Sequence, residues 1–257
     1  MIPYNTISAW SVSHPWQTRE QIEQDLLLSK AICEIYTNEL LAGELVFRGG
    51  TALHKLVLRQ PHRYSEDLDF VRSSAGGIGD VMKELTELGK RSGYTVTTKM
   101  SQYPKVYWNC KAQTGHDLKI KIEINTYERS PALPIVEVGH TVRSDWFSGD
   151  TVVRIFQNEE LAATKIKALY QRLKGRDLFD LWLLTNETGI DAGLTCKAFS
   201  VYRPKGFTSK KAIENLKKKL NDKTFQDDIS KIMSTEASGY CAEEAAEQVI
   251  EKYLAKL

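Results

Sequence analysis

Asp67 and Asp69 stand two residues apart in the run "YSEDLDFV", Tyr64 to Val71. On a strand, residues i and i+2 project to the same face, so both carboxylates stand together while Leu68 and Phe70 turn to the core. Paired carboxylates repel unless a cation lies between them. Mg²⁺ suits the position, because it takes oxygen ligands from one or two carboxylates and fills its other places with water or substrate phosphate. Upstream, "FRGGTAL" puts Gly49, Gly50 and Thr51 where a strand runs into a helix. Glycines permit close backbone approach, and the free N–H groups that open a helix attract phosphate. Together these residues describe a metal–nucleotide site. Glu123 in "KIKIEIN", a charge between Ile122 and Ile124, is the candidate third carboxylate. The same alternation also describes an ordinary half-exposed strand. Asp67, Asp69 and Glu123 are thus the candidate metal ligands, and Gly49, Gly50 and Thr51 the candidate nucleotide cradle. Arg48, beside the glycines, and Ser65, two residues before Asp67, are further candidates for phosphate contact.

Several elements must position these groups. Apolar residues from Thr18 to about Leu41 recur at helical spacing and predict one packing helix. "ELVF" reads as a strand ending at the glycines, and "TALHKLVLR" as a short helix ended by Pro61. "GDVMKELTELGKR" predicts a helix, and strand-like runs follow at "YTVTTKM", "KVYWNCKA", "LKIKIEIN" and "PIVEVGHTV". From Asn158 the pattern turns helical throughout. The spacing predicts an α/β domain over 1–157 and a helical C-terminal domain over 158–257.

Composition narrows the class without choosing a function. The chain has 257 residues, 42% hydrophobic and 26% charged, with a formal net charge of +2. Those values sit near the averages for globular proteins and disfavour disordered and membrane classes. Cys33, Cys110, Cys196 and Cys241 are scattered, with no zinc-type spacing, and read as reduced cytosolic thiols. No secretory or membrane-spanning segment is evident in the sequence, so a cytoplasmic protein without membrane contact is expected.

Gly-Gly, a short helix and then a Ser-x-Asp-x-Asp strand resemble the minimal nucleotidyltransferases of the DNA polymerase β-like superfamily. The fuller set, "FRGGTAL…RYSEDLDF" with "LAATKIKALYQR…RDLFDLWLL", is similar to the AbiEii/AbiGii toxin family, which includes the MenT toxins. The matching segments run from about Leu45 to Leu184. The resemblance implies a polymerase β-like nucleotidyltransferase fold with a mixed sheet, Mg²⁺ as cofactor and an NTP as substrate. It also implies a toxin of a toxin–antitoxin or phage-defence pair, with an antitoxin as protein partner. In several relatives the target is tRNA, extended at its 3′ acceptor end so that it can no longer be charged.

The resemblance further assigns Lys165 a catalytic and nucleotide-binding role, as a point cation beside the triphosphate; otherwise Lys165 reads as a solvent-facing helix lysine. Lys167 is expected to face elsewhere and serve as an internal control. Asp177 and, less strongly, Asp180 fall at the active-site periphery, with Asp177 expected to fix Lys165 or Arg176. The segment Arg203–Lys223 holds eight basic residues against two acidic ones, and Lys210, Lys211, Lys217 and Lys218 are its candidate RNA contacts. Tyr202 and Phe207 border it as candidate stacking residues. His54 reads as structural. Two other functions fit the same residues: nucleotidyl transfer to a protein or small molecule, and a catalytically silent binding module.

Overall fold

A computed structural model describes residues 1–234 and 239–257. Among them run seven strands: β1 (Leu45–Arg48), β2 (Asp67–Arg72), β3 (Thr95–Lys99), β4 (Lys105–Lys111), β5 (Asp117–Asn125), β6 (Val136–Arg143) and β7 (Ser148–Ile155). They form one mixed sheet in the order β3-β4-β5-β2-β1-β7-β6. Parallel pairing joins β2 to β5 and β1 to β7; the other neighbours are antiparallel. Strand β7 is not predicted from the sequence. Its "SGDTVVRI" mixes polar and apolar residues, and the hairpin with β6 and the pairing to β1 decide its state.

Alternation along β5 commits Leu118, Ile120, Ile122 and Ile124 to a first apolar core and leaves Lys119, Lys121 and Glu123 on the opposite face. In that core the sheet packs with α2 (Arg19–Thr37) and α5 (Gly79–Arg91), which lie to either side of α3 (Glu39–Glu44) in sequence. One helix was expected from Thr18 to Leu41, but the chain breaks at extended Asn38. That residue's side chain accepts from Leu41 N at 3.1 Å and starts α3 as a new helix. The preceding α1 (Tyr4–Ser11) packs against α2.

After β1 comes a four-residue α4 (Gly49–Ala52), continued as a π-helical turn, Leu53–Val57, that closes from Leu58 N to Leu53 O at 3.0 Å. The chain changes from strand to helix between Ile155 and Asn158. Helices α6 (Asn158–Gln171), α7 (Gly175–Glu187), α8 (Ala192–Tyr202), α9 (Ser209–Leu220), α10 (Lys223–Ser230) and α11 (Ala242–Lys252) come next. They build a second core that includes Val46 of β1 and Val71 of β2, so the helical half packs directly on the sheet. Among the described residues, no helix is long and apolar enough to cross a membrane.

Candidate active site

Strand register assembles the carboxylates. Parallel β2 and β5 set Asp67 beside Lys121 and Asp69 beside Glu123, while β1 sets Arg48 beside Asp69. Gly49, next along the chain, has φ +82°, and a Cβ there would lie 2.7 Å from Asp69 Oδ2. A Cβ on Gly50 would collide with Arg63 Nη2 and lie 3.0 Å from Ser65 Oγ. The glycines therefore let the turn close over Asp69 and Arg63. Thr51 fixes the strand start: its hydroxyl donates to the Asp67 carbonyl at 2.5 Å and sits 2.8 Å from Ser65 Oγ.

Lysines lie among these acids. Lys121 Nζ is 2.7 Å from Asp67 Oδ2 and 3.6 Å from Glu123 Oε2, and Lys105 Nζ is 3.0 Å from the same Glu123 oxygen. Among the described residues, no three Asp, Glu, His or Cys side chains form a ready-made cation cluster. The donor set nevertheless suits a hard divalent ion, being all oxygen and all acidic. Burial first, then the charges of Asp67 and Glu123, push the Asp69 carboxyl up against the opposing pull of Lys121 and Arg48. Negative charge on this face is thus incompletely offset.

Across the cleft, α6 and α7 carry a buried chain of ion pairs. Lys165 Nζ lies 2.5 Å from Asp180 Oδ2 and 3.4 Å from Asp177 Oδ1. Arg63 grips both oxygens of Asp180 at 2.7 Å, and Arg172 grips Asp177 at 2.6 and 2.7 Å. His54 Nε2 stands 3.0 Å from Asp180 Oδ1. Burial alone would push the Asp180 carboxyl up, but the Arg63 and Lys165 charges hold it well below the usual carboxylate range. Asp177 is lowered in the same way by Lys165 and Arg172. Burial and the Arg63 charge push His54 down to about 4, so its ring is neutral.

These contacts decide readings that the sequence left open. The solvent-facing alternative for Lys165 falls, since its side chain is 7% exposed and partners 12 and 15 residues on fold back against it. Asp177 pairs with Lys165 as expected, at 3.4 Å, but Asp180 approaches Lys165 more closely, and the second partner of Asp177 is Arg172 and not Arg176, whose Nε lies 3.8 Å from Asp228. Lys167 is no outside control: it pairs with Glu128 and lines the same cleft.

The cleft has two lobes that share Asp69, Lys165 and Arg172. One, of about 240 Å³, adds Arg48, Gly49, Glu123, Glu128, Lys167 and Gln171. Glu128 is held there by Arg48 at 2.6 Å and by Lys167. The smaller lobe, of about 70 Å³, adds Gly50, Arg63, Ser65, Asp67 and Arg176. Thr51 forms part of a separate hollow of about 260 Å³, lined also by His54, Lys55 and Ser65, that reaches none of the three carboxylates. Sequence reasoning missed Arg63, Lys121, Glu128 and Arg172. Arg63 and Arg172 stand inside the quoted segments "RYSEDLDF" and "ALYQR", where their flanking positions were a usable signal.

The basic segment lies apart. Lys210, Lys211, Lys217 and Lys218 are exposed on α9 and line neither lobe. Lys219 is buried and donates to the carbonyls of Tyr170 (3.1 Å), Arg172 (2.9 Å) and Leu169, closing the end of α6. Tyr202 and Phe207 cannot stack on bases in this fold. They are 3% and 5% exposed and belong to the second core, with Phe207 against Phe199 and Tyr170.

Known proteins share this fold. The family model for the nucleotidyl transferase AbiEii toxin of type IV toxin–antitoxin systems matches residues 31–251. No curated protein matches the sequence significantly. Among solved structures, the nucleotidyltransferase toxin MenT4 from Mycobacterium tuberculosis is 18% identical with a TM-score of 0.73, over 100% of this chain and 91% of that one. A protein from H. pylori described as a nucleotidyltransferase is also 18% identical, with a TM-score of 0.53 over 91% and 93% of the two chains. At that identity both likenesses establish the fold.

Proposed function

Because the chain belongs to the AbiEii family of nucleotidyltransferase toxins of type IV toxin–antitoxin systems, we propose that it transfers nucleotides from an NTP to the 3′ acceptor end of tRNA. Such a modification would block aminoacylation and translation in the cytoplasm until a cognate antitoxin intervenes. The observation that carries this reading is the cleft itself, where Asp67, Asp69 and Glu123 on the sheet lie opposite Lys165 and Arg172 on the helical side. Residues 1–157 serve in it as the nucleotidyltransferase domain and 158–257 as the helical domain that closes the cleft.

The triphosphate lies in the smaller lobe, where Lys165, Arg172 and Arg176 offset its charge and Gly50 and Ser65 admit it closely, while Gly49 borders the larger lobe and Thr51 supports Ser65 and the start of β2 from behind. Asp67, Asp69 and Glu123 would hold a divalent ion, Mg²⁺ in this reading, which supplies charge neutralisation at the phosphate oxygens. Asp177 and Asp180 position Lys165, and Arg48 with Glu128 orders the wall of the larger lobe. The RNA 3′-hydroxyl attacks the α-phosphorus through that lobe. The new O–P bond forms as the bond to the β-phosphate oxygen breaks. Pyrophosphate leaves with the electron pair, and the hydroxyl proton passes to a carboxylate of the cluster.

The test incubates purified protein with total tRNA, Mg²⁺ and each labelled NTP in turn, beside an Asp67→Ala/Asp69→Ala variant. Label on tRNA with the wild-type protein alone is the expected result. Dark tRNA with label on protein instead would replace the RNA acceptor by a polypeptide one.

A further inference from the structure

We propose that Lys121 is a resident counter-cation of the carboxylate cluster, whose ammonium and an incoming divalent ion claim the same oxygens, so that displacing it sets how tightly the ion binds. The inference rests on reading Asp67, Asp69 and Glu123 as metal ligands, and extends that reading to a residue with no assigned part in it.

Position argues first. Parallel pairing puts Lys121 directly beside Asp67, and the period of β5 puts its side chain on the same face as Glu123. Among the described residues its only ion-pair partners are Asp67 Oδ2 at 2.7 Å and Glu123 Oε2 at 3.6 Å. Its ammonium therefore bridges two of the three candidate ligands. Lys105 differs, approaching Glu123 from β4 while also donating to the Tyr103 carbonyl at 3.1 Å. The Lys121 side chain is 25% exposed, so its pairs are screened less than those of a fully solvated lysine.

Charge argues next. An ammonium relieves the repulsion among three neighbouring acids while no ion is bound, but it brings one positive charge where a divalent ion brings two. Both cannot use Asp67 Oδ2 and the facing oxygen of Glu123. Binding the ion then costs the loss of the Lys121 pairs. Phosphate oxygens offset that cost, so the ion is captured with the nucleotide more readily than alone.

Calorimetric titration of Mn²⁺ into the full chain, without nucleotide, tests this. Lys121→Met removes the ammonium at similar length and is expected to bind Mn²⁺ about tenfold more tightly or better. Its ion-free melting temperature should fall below that of the wild type, with the gap narrowing at saturating Mn²⁺. Lys121→Arg keeps the charge and should stay within about twofold of the wild type, as should Lys119→Met, which removes a strand lysine seated over Tyr107. Should Lys121→Met fail to fold, Lys121→Gln carries the same expectation. Unchanged or weaker Mn²⁺ binding by Lys121→Met, with binding lost in Asp67→Asn, would sink the role of Lys121 and leave the metal reading intact. Mn²⁺ binding that Asp67→Asn does not alter would overturn the metal reading and this inference together.

Discussion

The two walls of the cleft use the same residue types to opposite effect. On the sheet, Lys105, Lys121 and Arg48 stand beside Asp67, Asp69 and Glu123, yet burial and the neighbouring acids still push the Asp69 carboxyl up. On the helical side, Asp177 and Asp180 meet Arg63, Lys165, Arg172 and His54, and both carboxyls are pulled down. An under-neutralised, partly open cluster can accept a cation at little structural cost. A buried cluster already paired with two arginines and a lysine cannot, because an incoming cation would have to displace those partners. The first wall is suited to chemistry, and the second to holding Lys165 at a fixed point facing it.

That contrast can be broken at either wall. Replacing Asp67 and Asp69 together by Asn should lower nucleotidyl transfer by about a thousandfold, roughly 4 kcal/mol of barrier. The melting temperature should not fall, since the change removes repulsion, and labelled-NTP transfer beside a thermal melt reads both. Asp180→Asn should do the reverse and destabilise by about 3–5 kcal/mol in urea, because it leaves Arg63 and Lys165 buried without their shared carboxylate.

A pH titration sharpens the difference. His54 falls from 6.5 to about 4 in the folded protein, so its neutral form contributes stability that is full above pH 6.5 and lost as the pH drops toward 4. A shift of that size corresponds to about 3 kcal/mol. His140, also near 4 through burial, acts with the same sign. Urea midpoints between pH 7.5 and 4.5 should therefore fall steeply in the wild type and about half as steeply in His54→Gln. Equal slopes would show that His54 titrates alike in the folded and the unfolded chain.

The smallest effects come from neighbours on α9. Lys219→Met strips the carbonyls at the end of α6 of their donor and should cost about 1–3 kcal/mol. Lys218→Met, on the exposed face, should stay within about 0.5 kcal/mol. If α9 contacts RNA, the Lys218 change should instead flatten the salt dependence of tRNA binding by about 0.7 per charge, read by titration at several salt concentrations.

The sheet wall was legible in the sequence because its signals are local. A period of two places Asp67 with Asp69 and Glu123 away from the isoleucines, and Gly-Gly marks a turn that no larger residue can make beside Asp69. The helical wall was not. Arg63 and Asp180 lie 117 residues apart, and no periodicity within either segment announces their meeting. Lys165 is singled out by family resemblance alone, since a lysine on a helix reads equally as solvent-facing until its partners are placed. Tyr202 and Phe207 failed for a related reason: aromatics beside a lysine-rich helix look the same in sequence whether they face water or core. Strand β7 was lost because pairing, more than composition, makes it a strand.

The π-helical turn at Leu53–Val57 carries a consequence for insertions and deletions. His54 and Lys55 are consecutive, yet one reaches Asp180 on α7 while the other reaches Asp25 and Ser29 on α2. A π turn holds one more residue than the α turn it interrupts. Deleting any one residue of the five would let the helix close conventionally and rotate the downstream residues by about 100°, a full helical step. His54 and Lys55 could not then both keep their partners on α7 and α2. In this stretch point substitutions are the tolerable route of change, and the count of residues is the property that must be kept.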